Sequence, residues 1–201
     1  MVAVLSANSA PETSLSYNRL NVSYVHLKSD TDGVDVSTNG AAINFQVSDP
    51  DADPDSEPVY LNLGLAFANA EADDFDIDGE SFESLLGVGT YLALSDIIHL
   101  NLGVDGTYGQ GDVESLDFDS WSITPYVGLR VAVLTNLEIY GSIGYSFGEI
   151  EFDDFDGTED IDEAVGDIGL IYGLTDNFAL KAGALFAEDT VGGEFGLQLN
   201  F

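Results

Sequence analysis

Cysteine is absent from this 201-residue chain, and lysine and arginine together occur only four times. Without a thiol there is no disulfide framework, no thiolate metal site and no cysteine nucleophile. The same absence leaves the compartment open. Four bases against 37 acidic residues give a net charge of −33. That balance excludes nucleic acid as a partner, because neutralising phosphates needs a basic surface. Histidine occurs twice, as His26 and His99, and neither has the patterned neighbours of a catalytic triad or dyad. No apolar run approaches the roughly 20 residues of a membrane-spanning helix, and helical periodicity is missing throughout.

What is present is alternation. Val59, Leu61, Leu63, Leu65 and Phe67 alternate with Tyr60, Asn62, Gly64 and Ala66; Ile98, Leu100, Leu102 and Val104 alternate with His99, Asn101, Gly103 and Asp105. Residues 120–133 and 137–147 repeat the pattern, and 15–27, 38–48, 81–94, 162–174, 177–187 and 190–201 read similarly. The spacing predicts ten strands, mostly of about ten residues, against roughly five or six for an ordinary globular strand. Tight turns fall at "LSD" (94–96), "LTN" (134–136) and "LTDN" (174–177); the alternate links, such as "KSDTDGVDVS" and "GEIEFDDFDGTEDID", are longer and acidic. One link, "SDPDADPDSEP" (48–58), is long where the pattern calls for a short turn.

Two features separate a soluble barrel from a membrane barrel. The apolar faces carry no charge, while the opposite faces hold Arg19, Asp105, Arg130, Glu138, Asp167, Lys181 and Glu194 among many small residues. The solvent face of a soluble −33 protein would be crowded with long charged side chains; small residues suit a narrow, filled lumen. Aromatics on the apolar faces gather near strand ends: Phe67, Phe82, Tyr108, Trp121, Tyr145, Phe147 and Phe186 toward the long links, and Tyr172, Phe178 and Phe201 toward the short turns. Two aromatic girdles around an aliphatic belt mark a transmembrane β-barrel. The expected fold is therefore all-β, a closed antiparallel up-and-down transmembrane barrel of ten strands, with eight as the alternative. Residues 15–201 form the barrel domain. Residues 1–14 are a leader: a truncated signal remnant, a mature N-terminus with an added methionine, or a disordered stretch. Pro125 sits within a strand, where it must delete a ladder hydrogen bond, so a bulge or a shifted boundary is expected there.

The segments "LSYNRLNVSYVHL", "YGLTDNFALKAG", "TPYVGL" and "FGLQLNF" resemble the small outer-membrane β-barrel proteins of Gram-negative bacteria, the OmpA/OmpX-like superfamily. That resemblance implies a bacterial outer-membrane location, extracellular loops, both termini periplasmic and a monomer surrounded by lipid and lipopolysaccharide. It also implies that Phe201 is read by the barrel-assembly machinery. Eight strands are usual in that group, so a count of ten departs from it.

Three candidate roles remain for the polar residues. Three of the four bases (Arg19, Arg130, Lys181) face inward, which predicts ion pairs with Asp105, Glu138, Asp167 or Glu194 that plug and brace the lumen. The alternative is a small, cation-preferring pore with these charges as its constriction. Asp74, Asp76 and Asp78, followed by Gly79, open a D-x-D-x-D-G calcium loop, but Leu85 stands where the twelfth-position glutamate is required. Solvated acidic loops, or loose Ca²⁺ or Mg²⁺ binding that ties them to lipopolysaccharide phosphates, both fit. No cofactor is implied beyond such an ion, and no enzymatic role is supported, since His26 and His99 fall near opposite strand ends.

Overall fold

A computed structural model describes residues 15–31, 34–48, 58–72, 77–113, 116–153 and 158–201. The leader 1–14, the 49–57 part of the acidic link, Asp74 and Asp76 lie outside them. The described chain forms ten strands: β1 (Arg19–Thr31), β2 (Val34–Ser48), β3 (Val59–Ala72), β4 (Ile77–Ser95), β5 (Ile98–Val113), β6 (Leu116–Leu134), β7 (Leu137–Phe152), β8 (Thr158–Gly173), β9 (Phe178–Phe186) and β10 (Thr190–Asn200). Each pairs antiparallel with its neighbour in sequence, and β10 returns to β1 from Arg19–Asn200 to Ser29–Thr190. Closure leaves no edge along the spanning part, as a hydrocarbon environment requires of any β-structure. Ten strands, not eight, make up the ring.

The side chains are distributed inside out. Val22, Leu61, Leu63, Leu65, Val88, Val104, Ile123, Ile143 and Leu197 are exposed on the outer wall, whereas Asn21, Ser23, Gln46, Ser122, Arg130, Ser146 and Gln198 are buried in the lumen. A soluble protein would bury the first set, gaining about 1.5–3 kcal/mol for each large aliphatic side chain. The outer aromatics form a girdle on the long-link side. Tyr24 pairs with Phe195, Phe67 with Phe82 (centroids 4.9 Å apart) and Tyr108 with Trp121, and Tyr145 packs against Phe147 at 4.9 Å. At the short-turn end Phe45 stacks on Phe201 at 5.6 Å.

Three expectations change. First, most of each alternate acidic link at the long-link end is strand. β4 and β6 run for 19 residues each, although roughly 9–11 tilted residues cross the hydrocarbon core. The surplus protrudes as hydrogen-bonded hairpins at the long-link end; β1 and β2 pair as far as Thr31–Val34. Second, Asp78 and Gly79 lie in extended β4, opposite Glu71 and Ala70. Third, no bulge marks Pro125. It faces outward, opposite Val104 on β5, and Ile123–Phe147 and Tyr126–Gly144 keep one register on either side of it against β7. The ladder to β7 simply skips Thr124 and Pro125, and Thr124 Oγ1 donates to Ser146 Oγ at 3.0 Å across the gap. Register shifts occur instead beside two tight turns, at Ala93/Ser95 and Ala132/Leu134.

Candidate functional site

β1 begins at Arg19, not at residue 15, and residues 15–17 turn into the barrel mouth at the short-turn end. Tyr17 is 3% exposed. Its ring stacks on Tyr91 at 3.8 Å and 3°, and the Arg130 guanidinium carbon stands 4.6 Å from the ring centroid. Tyr60 and His99 stack further out, at 5.6 and 5.9 Å. The Tyr17 hydroxyl donates to Asn101 Oδ1 at 2.7 Å, and Arg130 Nη1 donates to the Ser16 carbonyl at 2.9 Å. Arg130 is fixed in turn by Glu138, with Nε and Nη2 donating to the two carboxylate oxygens at 2.5 and 2.8 Å. The bidentate fork matches a planar guanidinium to a planar carboxylate. This layer of rings and charges fills the lumen at its narrow end: Tyr60 and Arg130 each retain 2% exposure.

Above it lies a waist of about 150 Å³, bounded by Arg19, Tyr60, Tyr126 and Tyr140. The Tyr60 and Tyr126 hydroxyls meet at 2.9 Å, and Asn62 Nδ2 donates to Tyr126 Oη at 3.3 Å. Space for these rings comes from glycine on the neighbouring strands. A Cβ at Gly103 would stand 2.5 Å from Tyr126 Cζ, and one at Gly89 would strike Tyr60 Cζ. Gly103→Ala is expected to lower stability by about 1–3 kcal/mol through overpacking, read from urea unfolding in lipid vesicles.

Toward the protruding hairpins the lumen widens into a cup of about 540 Å³, with Glu83, Asp105, Asp167, Glu194 and Lys181 in its wall. At the opposite mouth a vestibule of about 740 Å³ lies against Arg130, Glu138 and the turns. The inward charges therefore divide. Lys181 Nζ pairs with Glu194 at 2.7 Å, and Tyr140 donates to the same carboxylate at 2.6 Å. Among the described residues Arg19 forms no ion pair; its Nε donates to Gln46 Oε1 at 2.6 Å. Asp105 and Asp167 form no ion pair among the described residues. Asn62 donates to Asp105 at 3.3 Å, and the Ser142 hydroxyl donates to Asp167. With so few bases, an inward acid finds a cation only where strand register sets one beside it.

The alternation of 81–94 also places Glu83 inward, opposite Phe82 and Ser84, but it stands two residues from an acidic link and is easily read as part of it. The five lumen tyrosines (17, 60, 91, 126 and 140) carry the same parity signal, yet an aromatic count confined to apolar faces overlooks them. The two histidines are not brought together: His26 Nδ1 meets Asn39 on the outer wall at 2.9 Å, and His99 lies in the Tyr17 layer. Above the girdle, Gln110 Nε2 and the Tyr108 hydroxyl donate to Asp119 Oδ1 at 2.9 and 2.7 Å, which holds that carboxyl below its ordinary range.

Residues 41–194 match the family model described as outer membrane protein beta-barrel domain. No curated protein sequence matches the chain. Among solved structures, the beta domain of the Bordetella autotransporter Brka aligns at TM-score 0.58 and 9% identity, over 92% of this chain and all of that one. The translocator domain of autotransporter NalP from Neisseria meningitidis aligns at TM-score 0.54 and 11% identity, over 98% of this chain and 91% of that one. At these identities the likeness is one of fold.

Proposed function

The chain belongs to the outer membrane protein beta-barrel domain family, and from that premise we propose a barrel closed at rest, with a structural and surface-interaction role. One observation carries this reading: the Tyr91–Tyr17–Arg130–Glu138 layer fills the narrow end of the lumen, with Tyr17 and Arg130 at its centre nearly unexposed. In this reading the hairpins that rise above the girdle face the cell exterior and display the acidic surface, and the short turns face the periplasm, as is usual for such barrels. Lipid is the direct partner of the outer wall. The apolar belt and its aromatics run right round the ring and set no sector apart for a second copy, so the protein acts as a monomer.

Planar-bilayer recording tests this directly. The purified wild-type protein, folded by the criterion of a heat-dependent shift in gel migration, is expected to give no steady conductance. Stable channels from the wild type would refute the closed barrel. The reading would then become that of a small cation-preferring pore, which the four acids and single lysine of the cup favour.

A further inference from the structure

We propose that residues 15–17, hinged at Asn18, are a displaceable stopper, and that withdrawing them opens a cation-selective path through the barrel. The inference rests on the resting closure proposed above and goes beyond it.

Residues 15–17 are not part of the wall. The β1–β10 ladder that closes the ring starts at Arg19–Asn200, and Asn18 alone extends it, accepting from Phe201 N. Six hydrogen bonds tie the segment to the barrel. Three lie in the lumen: Tyr17 to Asn101, Tyr17 with His99 Nδ1 at 3.3 Å, and Arg130 to Ser16. The other three hold Asn18 at the rim, from Ser48 N at 2.7 Å and Ser48 Oγ at 3.3 Å to Asn18 Oδ1, and from Phe201 N to Asn18 O at 3.2 Å. The contact that fills the bore is one ring held between another ring and a guanidinium, an arrangement worth a modest free energy even when desolvated.

Space already exists on both sides of the stopper. The vestibule of about 740 Å³ and the cup of about 540 Å³ are separated only by the Tyr17 layer and the waist of about 150 Å³. The layer's floor is anchored independently, because Arg130 stays bound to Glu138 without Tyr17. The cup fixes the sign of what would pass. Among the described residues Asp105 and Asp167 have hydrogen-bond donors but no ion pair, and Lys181 is paired with Glu194. A low-dielectric wall strengthens their field on an ion in the lumen. Small inorganic cations such as K⁺ are the expected permeants.

The experiment compares planar-bilayer currents of full-length wild type, Tyr17→Phe and Tyr17→Ala in KCl, each first shown to be folded by heat-modifiable migration. Tyr17→Phe keeps the stack and should stay closed. Tyr17→Ala should raise open probability about ten-fold or more, with potassium preferred over chloride. Adding Asp105→Asn and Glu83→Gln to Tyr17→Ala should reduce that preference without closing the channel. Folded Tyr17→Ala that stays as silent as wild type would overturn the proposal and leave the resting closure intact. Steady wild-type currents would instead contradict the closure itself. Should Tyr17→Ala fail to fold, a chain starting at Asn18 carries the same test, and failure of that chain to fold would show the segment to be structural and overturn the proposal.

Discussion

Arg130→Ala is expected to destabilise the folded barrel by about 3–5 kcal/mol, because it strands a carboxylate beside a closed layer of rings. Glu138 is only 12% exposed and takes two hydrogen bonds from the guanidinium. The alanine also removes the cation above Tyr17 and the donor to the Ser16 carbonyl. The loss should not be the property of the arginine alone. Arg130→Met combined with Glu138→Leu removes both charges while keeping most of the volume, so it should recover much of the stability. Urea unfolding in lipid vesicles, followed by gel migration, measures all three proteins. A double variant no better than the single would show that packing by Arg130, not its pairing, carries the effect.

The second large effect lies on the outer wall. Val127 faces outward near the middle of the apolar belt, between Leu102 on β5 and Ile143 on β7. Val127→Arg should cost about 2–4 kcal/mol, the usual penalty for a guanidinium at mid-bilayer depth on a barrel's lipid face. Val133→Arg, on the same face but beside the Thr135–Asn136 turn, should cost only about 0–1 kcal/mol, because there the side chain reaches the interface. Depth alone separates the two positions. If water bathed this wall, both changes would fall within roughly 0.5 kcal/mol of neutral.

How much of this was legible in the sequence follows from where lipid imposes a pattern. Within the apolar belt one face must be apolar and the other cannot be, so period two is strict and ten strands are countable. Above the girdle both faces meet water. Residues 28–31, 34–37 and 77–80 therefore lose the alternation and read as loops, although backbone pairing continues through them. Strand parity also gave the inward set, including Arg130, Glu138, Lys181 and Glu194. It could not give partners, since these depend on the register between strands: Glu138 meets Arg130 across the β6–β7 hairpin, whereas Arg19 faces Gln46. Tyr17 was the least legible residue. Its position two residues before Arg19 continues the β1 alternation, and nothing local says that the chain leaves the wall there to enter the bore.

The most direct test of the inside-out arrangement uses the single tryptophan. Trp121 is placed on the outer wall in the aromatic girdle, beside Tyr108 and 43% exposed. In vesicles, its fluorescence should be quenched by brominated lipids, most strongly when the bromines sit near the head-group end of the acyl chain, and little by aqueous iodide. Strong iodide quenching with no response to brominated lipid would place the apolar wall in water and contradict the membrane barrel.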